Sequence, residues 1–224
     1  MNKVYREDPK KMIICLRGRF QSPEFEQSRA ALEFAIEAHG EQTRKDDVTP
    51  YIAHPLSMAC DAIDCVGATD EIIATILLHD VCEDCKIPLT ALPGNDVIKR
   101  GVELMTFTYL PGEDKPTAKK RYFNELLKSR EAIICKAFDR YANLNDAEGV
   151  LDEEAIVKNI RETHDLLMPT LKRAKYKYTE LSSMLRAIRS KLKNTINMMA
   201  YYHHIEFTDS ADSANSLTST KPSQ

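Results

Sequence analysis

The run "ILLHDVCED", Ile76 to Asp84, begins as pure core and ends in four ionisable side chains within six positions: His79, Asp80, Glu83 and Asp84. Burying such groups is costly unless they are paired or bound to a cation. On a helix, residues four apart lie on one face. Glu83 therefore follows His79, and Asp84 follows Asp80, in two adjacent columns. Each column is headed by a candidate metal ligand and followed by a second acid. His with Asp suits Mn²⁺, Fe²⁺ or Zn²⁺, and additional carboxylate favours Mn²⁺ or Mg²⁺. Two ligands do not hold a catalytic metal alone. His54 in "YIAHP" and Asp139 in "KAFDRYANL" are the nominated third and fourth, and Asn143, four residues after Asp139, is placed to hydrogen-bond a substrate. Each piece is ordinary by itself. A His before Pro usually caps a helix or fills a core, and Asp139-Arg140 would usually be a solvated pair. The ordered combination is far more specific than any part.

The elements that must position these residues read as helices. "PEFEQSRAALEFAIEAHGEQTRK" from Pro23 places Phe25, Ala31, Leu32, Ala35 and Ile36 on one side, with Gly40 as a stop. "KDDVTPYIAHP" is a loop leading into a helix from Leu56 to about Val66, with Leu56, Ala59, Cys60, Ile63 and Val66 as its apolar face. Thr69 or Asp70 caps the next helix, whose apolar face is Ile72, Ile73, Ile76, Leu77 and Val81. Further helices are expected near Val97 to Phe107 and Thr117 to Leu127. In "EAIICKAFDRYANL", Ile133, Ile134, Ala137, Phe138, Tyr141 and Leu144 recur at helical spacing. Two long helices close the chain, near Glu153 to Lys175 and Tyr178 to His204. The last carries the stripe Leu181, Leu185, Ile188, Leu192, Ile196 and Met199. Nothing alternates with period two for long. The expected class is all-α, a compact single-domain helical bundle, with an N-terminal extension at 1–22, the domain at 23–206 and a disordered polar tail at 207–224.

Composition sets outer limits. The 224 residues, 43% of them hydrophobic, supply one sizeable core. A formal net charge of −3 does not describe a general polyanion binder. The six cysteines are scattered through helices and do not form the framework of a small secreted domain. No apolar run approaches the roughly 18–20 residues of a membrane span, and no signal peptide is evident. These observations give the expectation of a cytoplasmic protein.

The order H…HD…D resembles the HD superfamily of metal-dependent phosphohydrolases. In finer pattern the chain is similar to the hydrolase domain of RelA/SpoT homologues, above all to the small alarmone hydrolases. "ALEFAIEAHGEQTRKDDVTPYIAHPLSMA", "DEIIATILLHDVCED" and "ICKAFDRYANL" carry the likeness, and "IVKNIRETHDLLMPTLKRA" is a weaker echo. The resemblance implies that His54, His79, Asp80 and Asp139 bind a metal, usually Mn²⁺. It implies that Glu83 and Asp84 activate and orient the attacking water. Arg44 and Lys45 match nucleotide-contacting residues, Arg stacking on the base and Lys near phosphate, and Asn143 matches another such position. Lys158 or Arg161, on the later helix, is a further candidate for the 5′-phosphates. The implied reaction removes the 3′-pyrophosphate from guanosine tetra- or pentaphosphate. Alternatives are another nucleotide, such as ppApp or NADPH, and an inactive nucleotide-binding regulator. Long bifunctional relatives continue into a synthetase domain, so the expectation here is a stand-alone hydrolase acting on a small-molecule nucleotide, without membrane or nucleic-acid partners.

Four features depart from that pattern or compete with it. Asp46-Asp47 follows "TRK" where a small residue is usual, and "YA" precedes Asn143 where "LH" or "LY" is commoner; the first bears on base specificity. Cys82 and Cys85 form a CxxC, but a structural zinc needs two further ligands and no second such motif exists. The basic run from Lys172 to Lys193 has few interleaved aromatics and reads as a solvated helix face rather than an RNA surface.

Overall fold

A computed structural model describes residues 8–207; the expected disordered tail lies almost wholly outside them. Among the described residues the backbone forms helices and turns, and the β-type pairing is one isolated bridge between Thr43 and Pro50. The helices are α1 (Pro9–Arg19), α2 (Glu26–His39), α3 (Ala53–Ile63), α4 (Asp70–Leu78), α5 (Val81–Asp84), α6 (Asp96–Met105), α7 (Lys115–Glu125), α8 (Arg130–Asn145), α9 (Glu153–Glu162), α10 (Met168–Lys177) and α11 (Ser182–Tyr202). The all-α class is as expected.

α4 is the centre. Every side chain from Ile72 to Leu78 is buried, and the helix packs on α2, α3, α6 and α8. Its start is fixed by Thr69, whose hydroxyl accepts from Ile72 N–H, the ordinary N-cap device. Asp70, in the first turn, also accepts from the N–H groups of Gln27 and Ser28 and from the Ser28 hydroxyl. One carboxylate thereby caps α2 while opening α4. α8 runs beside α4 with Ile133, Ile134, Ala137, Phe138 and Leu144 buried, and α11 covers it with the expected stripe from Leu181 to Met199.

Four details differ from the sequence reading. An N-terminal helix, α1, lies within residues 1–22, and its Met12 and Leu16, with Phe20 just beyond, are buried in the common core. Val66 lies past the end of α3 and is exposed. The helix ending in the charged cluster is broken: α4 stops at Leu78, and α5 begins after Asp80. The expected helix from Glu153 to Lys175 is interrupted by a π-helical turn at Thr163–Leu167. Pro169 follows it, and its missing N–H and its ring cannot extend an ordinary i→i−4 ladder. The six cysteines are free thiols, and no described helix is long and apolar enough to cross a membrane.

Candidate active site

The break between α4 and α5 builds the site. His79 Nδ1 lies 2.8 Å from the Ile76 carbonyl, the acceptor that a continuing helix would give to the Asp80 N–H. A carbonyl accepts only, so Nδ1 carries a proton and Nε2 is the nitrogen turned toward the cluster, able to ligate a cation once it is deprotonated. That nitrogen is buried and makes no hydrogen bond. Asp80 Oδ2 stands 2.9 Å from it and 3.9 Å from His54 Nε2. From α8, Asp139 Oδ1 lies 3.3 Å from His54 Nε2 and 4.0 Å from His79 Nε2. Three separate stretches of chain thus bring two imidazole nitrogens and two carboxylates to one point. His54, His79 and Asp80 form a cluster compact enough to hold a metal ion. The donors, and the orphaned His79 Nε2 with its ring fixed from behind, fit a divalent cation.

The electrostatics are tightly coupled. Burial presses the His79 imidazole down, but Asp80 and Asp139 outweigh it and push its pKa up to about 9. For His54, burial prevails and the pKa falls. Burial pushes the Asp80 carboxyl up, yet the neighbouring His79 holds it at about 2. Burial acts likewise on Asp139, which Lys136 and the two imidazoles nevertheless keep well below the usual carboxylate range.

A surrounding set of donors orients the ligand groups. Lys136 Nζ donates to Asp139 Oδ2 (2.7 Å), and Asn143 Nδ2 donates to Asp139 Oδ1 (2.5 Å). Asn143 also accepts from Arg44 Nη2 (3.2 Å), which pairs with Asp146 at 3.2 Å. Expected to face the substrate, Asn143 here bridges Asp139 to Arg44. Arg140 is buried, with its guanidinium on Asn159 and Glu162 of α9 rather than in solvent. Glu162 also pairs with Lys119. The Tyr51 hydroxyl donates to Asp80 Oδ2 (2.7 Å). Burial, then Asp80 and Asp84, push this phenol far above its ordinary range, so it stays a donor.

These residues open into a cavity of about 680 Å³. Arg44, Lys45, His54, Asp80, Glu83, Asp84, Asp139, Asn143 and Lys158 line it, and His79 sits buried beneath. Glu83 and Asp84 are exposed to its interior on α5. Its wall also includes Lys115, Lys119, Lys136 and Arg140, which the sequence reading did not assign to the site. Of these, Lys136 had a signal, since it precedes Asp139 by three residues on one helix. Tyr51, three residues before His54 in "YIAHP", had a similar local signal, whereas Lys115 and Lys119 had none. Cys82 and Cys85 lie outside the metal-competent cluster; the Cys85 thiol rests 3.5 Å from His39 Nδ1.

Comparison with known proteins agrees with this geometry. Residues 31–169 match the HD domain family. A probable guanosine-3′,5′-bis(diphosphate) 3′-pyrophosphohydrolase from Synechocystis sp. is 31% identical over 147 residues, covering 62% of this chain and 19% of that protein. The guanosine-3′,5′-bis(diphosphate) 3′-pyrophosphohydrolase of Aquifex aeolicus is 48% identical over 59 residues, 26% of this chain and 8% of the relative. The Xenopus tropicalis protein of the same description is 29% identical over 156 residues, 61% of this chain and 86% of its own length. The match therefore spans less than a fifth of either bacterial relative and most of the Xenopus one.

Proposed function

Because the chain belongs to the HD-domain family, we propose that it is an Mn²⁺-dependent hydrolase that removes the 3′-pyrophosphate from guanosine tetra- or pentaphosphate, giving GDP or GTP and pyrophosphate. The observation that carries this reading is the convergence of His54, His79, Asp80 and Asp139 beside a cavity lined by both lysine and arginine side chains and further carboxylates. A divalent ion held by those four residues would activate water and neutralise phosphoryl charge.

The chain's own groups do the rest. Glu83, on the short helix that follows the ligand Asp80, takes the proton from the attacking water. Asp84, beside it on the same wall, orients that water. Arg44 is planar and permanently charged, so it receives the base by stacking while Asn143 and Asp146 hold it in place. Lys45, which lines the cavity, meets phosphate, and Lys158, with Lys115 and Lys119 in the same lining, receives the 5′-phosphates. Residues 23–206 would form the catalytic domain.

Pyrophosphate release from guanosine tetraphosphate with Mn²⁺, run beside ppApp and NADPH and with an Asp80→Ala control, tests the reading. Release from the guanosine substrate, lost in the control, is the expected result. Turnover of another nucleotide alone would keep the chemistry and overturn the substrate. Tight nucleotide binding with no turnover of any would point to a binding protein on an HD fold.

A further inference from the structure

We infer that Tyr51 is a positioning residue for the metal site, its phenol holding Asp80 in the ligating orientation and its ring tying that carboxylate to the loop that carries Arg44 and Lys45. The inference rests on the ligand role of Asp80 proposed above. Asp80 is the weak point of the cluster. It occupies the break between α4 and α5, its side chain caps no backbone group, and a quarter of that side chain is exposed (24%), against 9% for Asp139 and 1–2% for the two histidines. An aspartate so placed has other rotamers open to it. The Tyr51 hydroxyl donates to Oδ2, the same oxygen that faces His79 and His54. A carboxylate oxygen has two lone pairs. With one taken by the phenol, the other is left for the cation.

The ring is itself held on several sides. It stacks on the buried His39 (centroids 4.8 Å apart, 20° between planes) and meets the His54 ring edge-on at 6.2 Å. The Arg44 guanidinium lies 6.0 Å above it. The Tyr51 N–H donates to the Gln42 carbonyl (2.7 Å), and Arg44 N–H donates to Thr49 (2.8 Å), closing the 42–51 loop at its base. One side chain thus touches a metal ligand through its oxygen, a second ligand through its edge, and the proposed base clamp through its face. Residues that orient ligands in this way typically change metal affinity by about 10- to 100-fold when removed.

Tyr51→Phe keeps the ring and removes the donor. Titration of the nucleotide-free full chain with Mn²⁺, followed by electron paramagnetic resonance of the free ion, is expected to show Kd raised by about 10-fold or more. At saturating Mn²⁺, kcat should fall while KM for the nucleotide stays within about twofold, because Arg44 keeps its platform. Tyr51→Leu, which removes the platform too, should raise KM as well. A Phe variant with wild-type Mn²⁺ affinity overturns the inference. So does a lowered unfolding midpoint in EDTA with unchanged Mn²⁺ affinity, which is what a merely structural tyrosine would give. Failure of the ligand assignment looks different: Asp80→Ala would bind Mn²⁺ like the wild type, and the inference would fall with it.

Discussion

At His79 the imidazole is addressed at both nitrogens, Nδ1 on the Ile76 carbonyl and Nε2 beside Asp80 and Asp139. Replacing it with Ala removes a ligand nitrogen that the fold has oriented and desolvated. His79→Ala and Asp80→Ala should both purify with Mn²⁺ content near zero by elemental analysis, and wild-type content in either variant would refute the ligand assignment. Glu83 makes no such contribution to the cluster. Glu83→Gln should keep metal and nucleotide binding and lose turnover by about 10²- to 10⁴-fold, the usual worth of a general base; full activity would move the base elsewhere. Much of this was legible in the sequence because helical spacing is local. Four-residue spacing relates Asn143 to Asp139 on one helix, and Asp84 to Asp80, whose backbone bond survives the break between α4 and α5; Glu83 and His79 fall on either side of that break. What was hidden needed tertiary information. Arg140 reads as a solvated neighbour of Asp139 until α9 supplies Asn159 and Glu162. The link from Asn143, itself on the cavity wall, to Arg44, 99 residues away in sequence, is likewise beyond what local spacing can give.

The site is only as precise as the helices that carry it, and α4 is held by contacts on most of its circumference. α6 reaches α4 and α8 at Gly101, where a Cβ would lie 2.9 Å from the Thr75 Oγ1 and Cγ2 atoms and 3.2 Å from Glu131 Cβ. Thr75 and Glu131 are buried, and a β-branched threonine has little rotamer freedom to yield. Two effects of Gly101→Val compete. Helix propensity gains a few tenths of a kcal/mol over Gly, while overpacking of this kind costs about 1–3 kcal/mol. The clash should win, and the thermal unfolding midpoint followed by circular dichroism should fall by roughly 3–8 °C; an unchanged midpoint would mean that α6 shifts freely. The same scale shows why some helices could be read and one could not. α4 and α11 carry broad apolar faces, whereas α1 buries a single line, Met12, Leu16 and Phe20 at steps of four, with Ile14 exposed between them (70%) and basic residues around it. That narrow stripe does not stand out in a periodicity count. The π-helical turn had only Pro169 to announce it, and a proline marks a break without saying which kind.

Across the whole molecule the charge is unevenly grouped. The chain carries a formal net charge of −3, and Arg44, Lys45, Lys115, Lys119, Lys136, Arg140 and Lys158 face one cavity together with Asp46, Asp80, Glu83, Asp84, Asp139, Asp146 and Glu162, so a divalent cation bound there would tip its balance positive. A polyanionic nucleotide approaching from a distance meets a weakly repulsive body, and meets attraction only near the cavity mouth. The ionic-strength dependence decides which field governs capture. Added salt shortens the Debye length from about 10 Å at 0.1 M to about 3 Å at 1 M. Were the net charge in control, screening would relieve repulsion and lower KM. Were the cationic wall in control, screening would weaken the attraction and raise KM. The cavity's cations are matched in number by its carboxylates, so a bound Mn²⁺ would leave it net positive, and because the interaction falls with distance that local charge should govern over the chain's total. KM for guanosine tetraphosphate should climb by roughly an order of magnitude between 0.05 and 0.5 M NaCl at saturating Mn²⁺, with kcat within about twofold because the chemical step is buried beside the ligands. Lys119→Met and Lys158→Met together should flatten that slope. A KM that falls with salt would show that the lysines of this wall are spent on Glu162 and its neighbours and are not available to phosphate.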